Sequence, residues 1–169
     1  MSVVTGEGVE LRRITARDLK MAVKHGFTLS ITEPLSHPTR LREVYDATGF
    51  WTDDTGAVAI EARADERLVG ALQFYPAGGS IKGYEIGYVI YSEDDVGKGY
   101  AIEAIRLFSD LLFKERSACH RLQMLVAKWD DRTARLAEDC GFASEGTLRK
   151  AGFGRDGPED CLIYSRVRD

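Results

Sequence analysis

Six residues, Val96 to Ala101, most constrain what this chain can fold into. They read Val-Gly-Lys-Gly-Tyr-Ala, and they join an apolar segment, Tyr84 to Ile90, to a segment with helical periodicity that begins at Tyr100. Two glycines let the main chain approach a ligand, and the first turn of a helix offers unpaired N–H groups at the positive end of its dipole. The pattern predicts a strand, an anion-binding loop and a helix, and it indicates a ligand that carries phosphate.

Length and charge limit the classes of protein to consider. The chain has 169 residues, of which 44% are hydrophobic and 30% charged, as expected for one domain spanning residues 1–169. No apolar run approaches the ~20 residues that cross a bilayer, and the N-terminus lacks the basic and apolar regions of a signal peptide. The net charge of −4 argues against a nucleic-acid partner and favours a cationic substrate. We therefore expect a cytoplasmic protein with no nucleic-acid or membrane partner.

Cysteine and histidine show no metal-binding pattern. Cys119, Cys140 and Cys161 form no Cys-x-x-Cys pair, and no histidine lies at metal-ligand spacing from them. We expect buried, reduced thiols and no metal site.

Hydrophobic periodicity predicts strands that alternate with helices and end in a hairpin, which together form one α/β unit. The first helix is expected between a capping box at Thr15 to Asp18 and Gly26, and the second between Pro38 and Gly49. The third begins at Tyr100, and the fourth runs from Asp130 or Asp131 to Gly141. A loop is expected at Ser30 to Ser36. Strands are expected at Leu11 to Ile14, Ala57 to Arg63, Arg67 to Phe74, Tyr84 to Ile90, Leu122 to Ala127, Thr147 to Arg149 and Leu162 to Val167.

The glycine loop alone leaves several interpretations open. A dinucleotide-binding fingerprint would need Gly or Ala where Ile102 stands, and the spacing of a Walker loop is absent. An ordinary strand-to-helix turn that binds no ligand remains an alternative on this motif alone.

Two sets of residues resemble a known superfamily. Val96 to Ala101 is similar to motif A of the GNAT acyltransferases, Gln/Arg-x-x-Gly-x-Gly/Ala, at every position except the first. The C-terminal half resembles the RimJ/RimL-type N-acetyltransferases, whose pattern runs Asn-x-x-Ser, Gly-Phe, Glu-Gly-x-Leu-Arg, Asp-Gly, Asp and Tyr-Ser. The corresponding residues are Asp130 to Thr133, Gly141-Phe142, Glu145 to Arg149, Asp156-Gly157, Asp160 and Tyr164-Ser165.

The resemblance implies an α/β (α+β) fold, the single-domain GNAT fold. Its mixed, mostly antiparallel sheet is splayed at the glycine-loop strand and flanked by helices. It also implies acetyl-CoA as acyl donor, with CoA as product. The pantetheine arm would lie along the main chain of Tyr88, Val89 and Ile90, bordered by Asp130 and Thr133. The pyrophosphate would bind the amides of Gly97, Lys98, Gly99, Tyr100 and Ala101, near the ammonium of Lys98, while Val96 would weaken the site by removing the usual polar side chain.

Catalytic roles follow from the same resemblance. Glu85 is a candidate base, or else a surface carboxylate, and the Val89 amide is the expected donor to the oxyanion. Thr133 occupies the family's serine position and is the favoured general acid, the alternative being that it satisfies a first-turn N–H. For Asp130, helix capping is favoured over binding of a cationic amine.

Other side chains keep two interpretations at this stage. Tyr164 either reaches the thioester or packs in the sheet, and Glu145 is expected to pair with Arg149. Three aromatic residues either line an acceptor pocket or fill the core: Phe27, Trp51 and Trp129.

The leading hypothesis is an N-acyltransferase that moves an acetyl group to a primary amine by direct attack in a ternary complex. The acceptor is a protein N-terminal α-amine or a small-molecule amine, and a homodimer is allowed. The alternative is a non-catalytic acyl-CoA-binding sensor or interaction module. A nucleotide-binding α/β protein ranks last.

Overall fold

The computed structural model describes residues 2–25, 38–154 and 156–168. The helices in this part of the chain are α1 (Leu19–Lys24), α2 (Pro38–Thr48), α3 (Tyr100–Glu115) and α4 (Asp131–Asp139), with a 3₁₀ turn at Glu93–Asp95. The strands are β1 (Ser2–Thr5), β2 (Val9–Arg13), β3 (Gly56–Ala62), β4 (Arg67–Pro76), β5 (Tyr84–Ile90), β6 (Arg121–Ala127), β7 (Ala143–Gly154) and β8 (Gly157–Val167).

All eight of these strands form one sheet in the order β1-β2-β3-β4-β5-β6-β8-β7. Every neighbouring pair is antiparallel except β5 and β6, which run parallel. The parallel contact covers only Tyr84 with Leu122 and Glu85 with Gln123, after which the two strands are no longer paired. The predicted mixed, mostly antiparallel sheet that opens beside the glycine-loop strand is confirmed.

Helix α3 covers one face of the sheet, together with α4. Its apolar residues recur at helical spacing, so that Ile105, Phe108 and Leu112 are fully buried against strand residues such as Leu72 and Leu122. This packing holds the beginning of α3, and hence the glycine loop, against the end of β5.

A smaller core lies on the opposite face, under α1 and α2. Small residues of β3 and β4, including Ala57 and Ala71, let Leu41 of α2 approach the sheet closely. Arg12 of β2 fastens this layer through a bidentate ion pair with Asp18, at 2.8 and 3.1 Å, just before α1. Burial, the largest single effect, would raise the pKa of Asp18, but the hydrogen bonds from Arg12 and Thr15 together outweigh it and hold the pKa below its ordinary value.

The structure corrects the first predicted elements. Strand β1 was not predicted, and β2 begins at Val9 rather than Leu11. The capping box is only half formed: the Asp18 carboxylate accepts from the N–H and the hydroxyl of Thr15, but residues 16–18 form a turn and the helix begins at Leu19.

The end of the chain was also underestimated. Both strands of the C-terminal hairpin extend well beyond the predicted segments, since they pair from Ala143 with Ser165 to Gly154 with Gly157. The remaining predicted elements agree with the structure to within a few residues at their ends. The end of the first helix at Gly26, the loop at Ser30 to Ser36 and a start at His37 fall outside the described residues.

Cys119, Cys140 and Cys161 are free and buried, as predicted. Within the described parts of the chain, no helix combines the length and apolar character that crossing a membrane requires. No group of three or more histidine, cysteine, aspartate or glutamate side chains among these residues is placed to hold a metal ion.

Candidate functional site

A cleft of about 1150 Å³ opens where β5 and β6 separate. Its floor is formed by Ile86 to Ile90 of β5 and by Met124 and Leu125 of β6. The glycine loop closes one end of the cleft, and the first turns of α4 form a side wall. The cleft therefore begins at the last paired residues of the parallel contact and ends at the start of α3.

Strand β5 offers unpaired main-chain groups to this cleft. Tyr91 donates its N–H to Val69 O at one end of the β4–β5 ladder, and Ala77 donates to Gly83 O at the other. Hydrogen-bonded positions alternate along an antiparallel pair, so the ladder with β4 uses the odd-numbered residues of β5. The even-numbered residues, Tyr88 and Ile90 among them, therefore direct their N–H and C=O groups toward the gap.

This alternation corrects the prediction for Val89. The residue lines the cleft, but its amide belongs to the ladder with Ala71 of β4. It cannot donate to an oxyanion in the gap without breaking that bond. The amides of Tyr88 and Ile90 are the ones available for that purpose.

The glycine loop has the conformation that anion binding requires. Gly97 and Gly99 have φ angles of +83° and +86°, in the left-handed region that favours glycine, and Gly99 is the N-cap of α3. The N–H of Lys98 turns inward and donates to Asp95 O, so Lys98 drops out of the predicted amide set. The other four predicted amides, those of Gly97, Gly99, Tyr100 and Ala101, make no main-chain bond within the described chain.

A buried carboxylate holds this loop from below. Asp95 receives two hydrogen bonds from the Arg67 guanidinium, at 2.6 and 2.9 Å, and one from the Lys98 ammonium at 3.2 Å. The Asp95 side chain is 1% exposed. The arginine, first of all, lowers the pKa of Asp95 to about 2. The ammonium of Lys98 is thus tied to Asp95 rather than directed into the cleft.

Helix α4 brings polar groups to the opposite wall. Asp130 is its N-cap: Oδ1 accepts from the Thr133 N–H at 3.0 Å, and Oδ2 accepts from the Thr133 hydroxyl at 2.7 Å. The favoured capping role of Asp130 is confirmed. Arg132 and Arg135, which sequence analysis did not single out, line the same wall together with the carboxylates of Asp130, Asp131 and Asp139, so charges of both signs face the cleft.

Glu85 lies outside this cleft. It is buried, with 5% exposure, and its side chain points to the face that carries α1 and α2, away from α4. Tyr75 donates its hydroxyl to one carboxylate oxygen at 2.7 Å, and Gln123 donates its amide to the other at 3.0 Å. Burial, with the charge of Glu85 next, raises the pKa of Tyr75. Glu85 is therefore not a surface carboxylate, and the structure does not bring it together with Thr133.

The contacts of the remaining candidate residues distinguish packing in the core from a position at the cleft. Tyr164 is buried, and its hydroxyl is 3.4 Å from Glu138, while Glu145 pairs with Arg121 instead of Arg149. Trp51 packs edge-on against Phe74 and Phe108 in the core. Trp129 is 73% exposed at the cleft wall, where its indole N–H donates to Glu159 at 2.7 Å. Phe27 falls outside the described residues.

The fold and the site together define an α+β protein whose sheet opens into a cleft between two strands, with a glycine loop and the start of α3 at the end of that cleft. Residues 9–143 match the family model of the acetyltransferase (GNAT) domain. The match covers more than half of the chain, which therefore belongs to the GNAT acetyltransferase family, whose acyl donor is acetyl-CoA.

Solved structures share the fold at low sequence identity. The acetyltransferase (GNAT family) from Bacillus anthracis has a TM-score of 0.75 and 21% identity, with 97% of each chain covered. A chimera of the spermidine N-acetyltransferase SpeG from Vibrio cholerae and hSSAT has a TM-score of 0.80 and 22% identity, with 95% of this chain and 96% of that chain covered. Mutant forms of the spermidine/spermine N-acetyltransferase SpeG from Vibrio cholerae have a TM-score of 0.79 and 22% identity, with 94% of each chain covered. No curated protein matches the sequence.

The ion pair under the glycine loop makes a prediction about stability and pH. Because the pKa of Asp95 is lowered from 3.8 to about 2, its contribution is present above about pH 4 and is lost as the pH falls toward 2. Asp95→Asn should therefore lower the free energy of unfolding at pH 6, and the difference from wild type should shrink between pH 4 and pH 2, where the native carboxyl is itself protonated. Urea unfolding of both proteins across this range measures the difference. A difference that does not change with pH would contradict the assignment.

Proposed function

We propose that this chain transfers an acetyl group from acetyl-CoA to a primary amine by direct attack in a ternary complex. The observation that carries the proposal is the cleft between β5 and β6, which has free main-chain groups along one side and an anion-binding loop at its end. An acyl-CoA has a matching form, since an extended amide-containing arm is followed by a diphosphate.

The residues of the cleft fit this ligand. The arm would add to β5 as a further strand, bonded to the main chain of Tyr88 and Ile90. The diphosphate would bind the free amides of the glycine loop at the positive end of the α3 dipole, with Arg132 and Arg135 on the opposite wall. When bound, acetyl-CoA supplies a thioester carbonyl, and the same gap-facing amides are placed to stabilise negative charge on its oxygen.

Proton removal from the amine is the role we assign to Glu85. Its carboxylate lies beside the last paired residues of β5 and β6, where the gap begins, and on the sheet face opposite α4. An amine that enters from the face of α1 and α2 would meet Glu85 through water, while the acyl donor occupies the side of α4. The negative charge at this point also favours a cationic acceptor.

The acceptor is a primary amine, and by resemblance a RimJ/RimL-type protein N-terminus is the leading class. Deprotonation at pH 7 costs about 1 kcal/mol for an α-amine of pKa near 7.8 and about 4.6 kcal/mol for an alkyl amine near 10.4. Two of the solved structures with this fold are a spermidine N-acetyltransferase chimera and a spermidine/spermine N-acetyltransferase, so a polyamine belongs in any test.

The first experiment measures release of CoA thiol from acetyl-CoA with three acceptors: a peptide with a free N-terminus, spermidine and a simple alkyl amine. Calorimetry with CoA accompanies it. Binding together with amine-dependent thiol release supports the proposal. Binding with no release above background would favour the non-catalytic acyl-CoA-binding module, and absence of binding at millimolar CoA would reject both.

The glycine loop provides a matched pair of variants. Gly99 and Gly141 have φ angles of +86° and +84°, and a Cβ at either position meets no atom within 4 Å. Alanine should therefore cost both proteins about 1–2 kcal/mol of stability through backbone strain alone. Only Gly99→Ala places a methyl group in the diphosphate site, and we expect CoA affinity to fall about tenfold, as for loss of one charge-assisted hydrogen bond. Equal CoA affinities in calorimetry would show that the loop does not hold the phosphates.

The role of Glu85 can be separated from its packing. Glu85→Gln preserves the shape of the side chain but removes the base. We expect kcat/KM at pH 7 to fall about 10²-fold or more, and to recover as the pH approaches the pKa of the free amine. Tyr75→Phe removes one hydrogen bond to the carboxylate and keeps the charge. It should change the rate far less. If the two variants lose the same activity with the same pH profile, Glu85 is not the base.

A further inference from the structure

Three side chains form a continuous hydrogen-bonded chain in the wall of the cleft. The Tyr88 hydroxyl lies 3.1 Å from Thr133 Oγ1, and Thr133 Oγ1 lies 2.7 Å from Asp130 Oδ2. Both Tyr88 and Thr133 line the cleft, from β5 and from α4 respectively. The contact joins a residue expected to contribute only its main chain to the residue expected to act as general acid.

Counting protons fixes the direction of this chain. Thr133 has one hydroxyl proton, and Asp130, as a carboxylate, can only accept. The 2.7 Å bond therefore uses the threonine proton, and Thr133 Oγ1 can only accept from Tyr88. The phenol is the donor at the free end of the chain.

The two hydroxyl groups differ in what they would lose by turning toward a ligand. If Thr133 turned, Asp130 Oδ2 would lose its charge-assisted bond in a partly enclosed site. If Tyr88 turned, Thr133 Oγ1 would lose an accepted bond but would keep the bond it donates. The phenol is thus the group that can be released at lower cost.

Burial keeps the phenol proton of Tyr88 in place. Burial, as the largest cause, raises the pKa of the Tyr88 phenol, and Asp130 acts in the same direction while Thr133 and Arg132 oppose it. Cys140 faces the phenol from the end of α4. From the 3₁₀ turn before the glycine loop, Asp95 reaches the cleft wall, and its charge is matched by Arg67.

We propose that the Tyr88 phenol, and not the Thr133 hydroxyl, donates the hydrogen bond and the proton to the sulfur that leaves the thioester. Thr133 and Asp130 are positioning residues that aim the phenol. This inference rests on the proposed function. In the step, the C–S bond breaks and its electron pair goes to sulfur, which takes the phenol proton. The attacking amine releases one proton to solvent, and the phenolate takes up one proton from solvent. The overall reaction therefore converts thioester and amine into amide and thiol.

The test reads the thiol of bound CoA directly. Ultraviolet absorbance of the thiolate, measured against a complex with desulfo-CoA as blank, gives the pKa of the bound thiol. A donor aimed at sulfur stabilises the thiolate, so Tyr88→Phe should raise the pKa of the bound thiol by about one unit, a tenfold change in its acidity. The Kd of CoA should change by less than about twofold, because the Tyr88 main chain is retained.

Thr133 supplies the comparison. Thr133→Ser keeps the hydroxyl and should leave the thiol pKa near that of wild type, whereas Thr133→Val should shift it by less than Tyr88→Phe does. In turnover, Tyr88→Phe should lower kcat about 10²-fold with KM for the acyl donor unchanged.

Each outcome separates this inference from the proposed function. If wild type binds no CoA, the function itself fails. If CoA binds to folded Tyr88→Phe, as checked by near-ultraviolet circular dichroism, and the thiol pKa is unchanged, only the role of Tyr88 is rejected. A shift seen with Thr133→Val and not with Tyr88→Phe would restore threonine as the donor.

Discussion

The short parallel contact between β5 and β6 is the constraint on which the rest of the site depends. Only two residue pairs are in register, and beyond them each strand remains bonded to its antiparallel neighbour on the other side. The main-chain groups that face the gap are then left without partners, which is unfavourable unless water or a ligand satisfies them. Packing of α3 and α4 on one face holds the two strands apart at this point. The opening is thus part of the fold.

The glycine loop is held in place by charged side chains that lie beneath it. Four free amides and the α3 dipole concentrate positive potential, and Asp95 places a negative charge directly beneath them. The carboxylate is matched by Arg67 and Lys98, and Arg67 also pairs with Asp65, so the charges of this network cancel. Val96 removes the polar side chain usual at the first motif position. The ion pair from β4 fixes the loop from a different direction, so the cradle does not depend on a side chain at position 96.

Local patterns in the sequence predicted the parts of the site that depend on neighbouring residues. The glycine loop, the start of α3 and the cap at Asp130 each follow from the order of a few residues. The pairing of Arg67 with Asp95 joins positions 28 apart in the sequence. Glu145 pairs with Arg121 of β6 and not with Arg149 in its own strand. Such contacts depend on which strands become neighbours. Strand β1 was missed for a related reason, since it is short and forms only through pairing with β2.

The error at Val89 has a more specific cause. Alternation along β5 could be seen in the sequence. The assignment of its N–H groups to one edge or the other depends on the register with β4, which is marked by the bond from Ala77 to Gly83 at one end and the bond from Tyr91 to Val69 at the other. Once that register is known, Tyr88 directs its amide into the gap while its side chain reaches α4. One residue then presents a main-chain donor and a side-chain donor to the same cleft, and Asp130 determines which hydroxyl in the adjoining chain is free to use its proton.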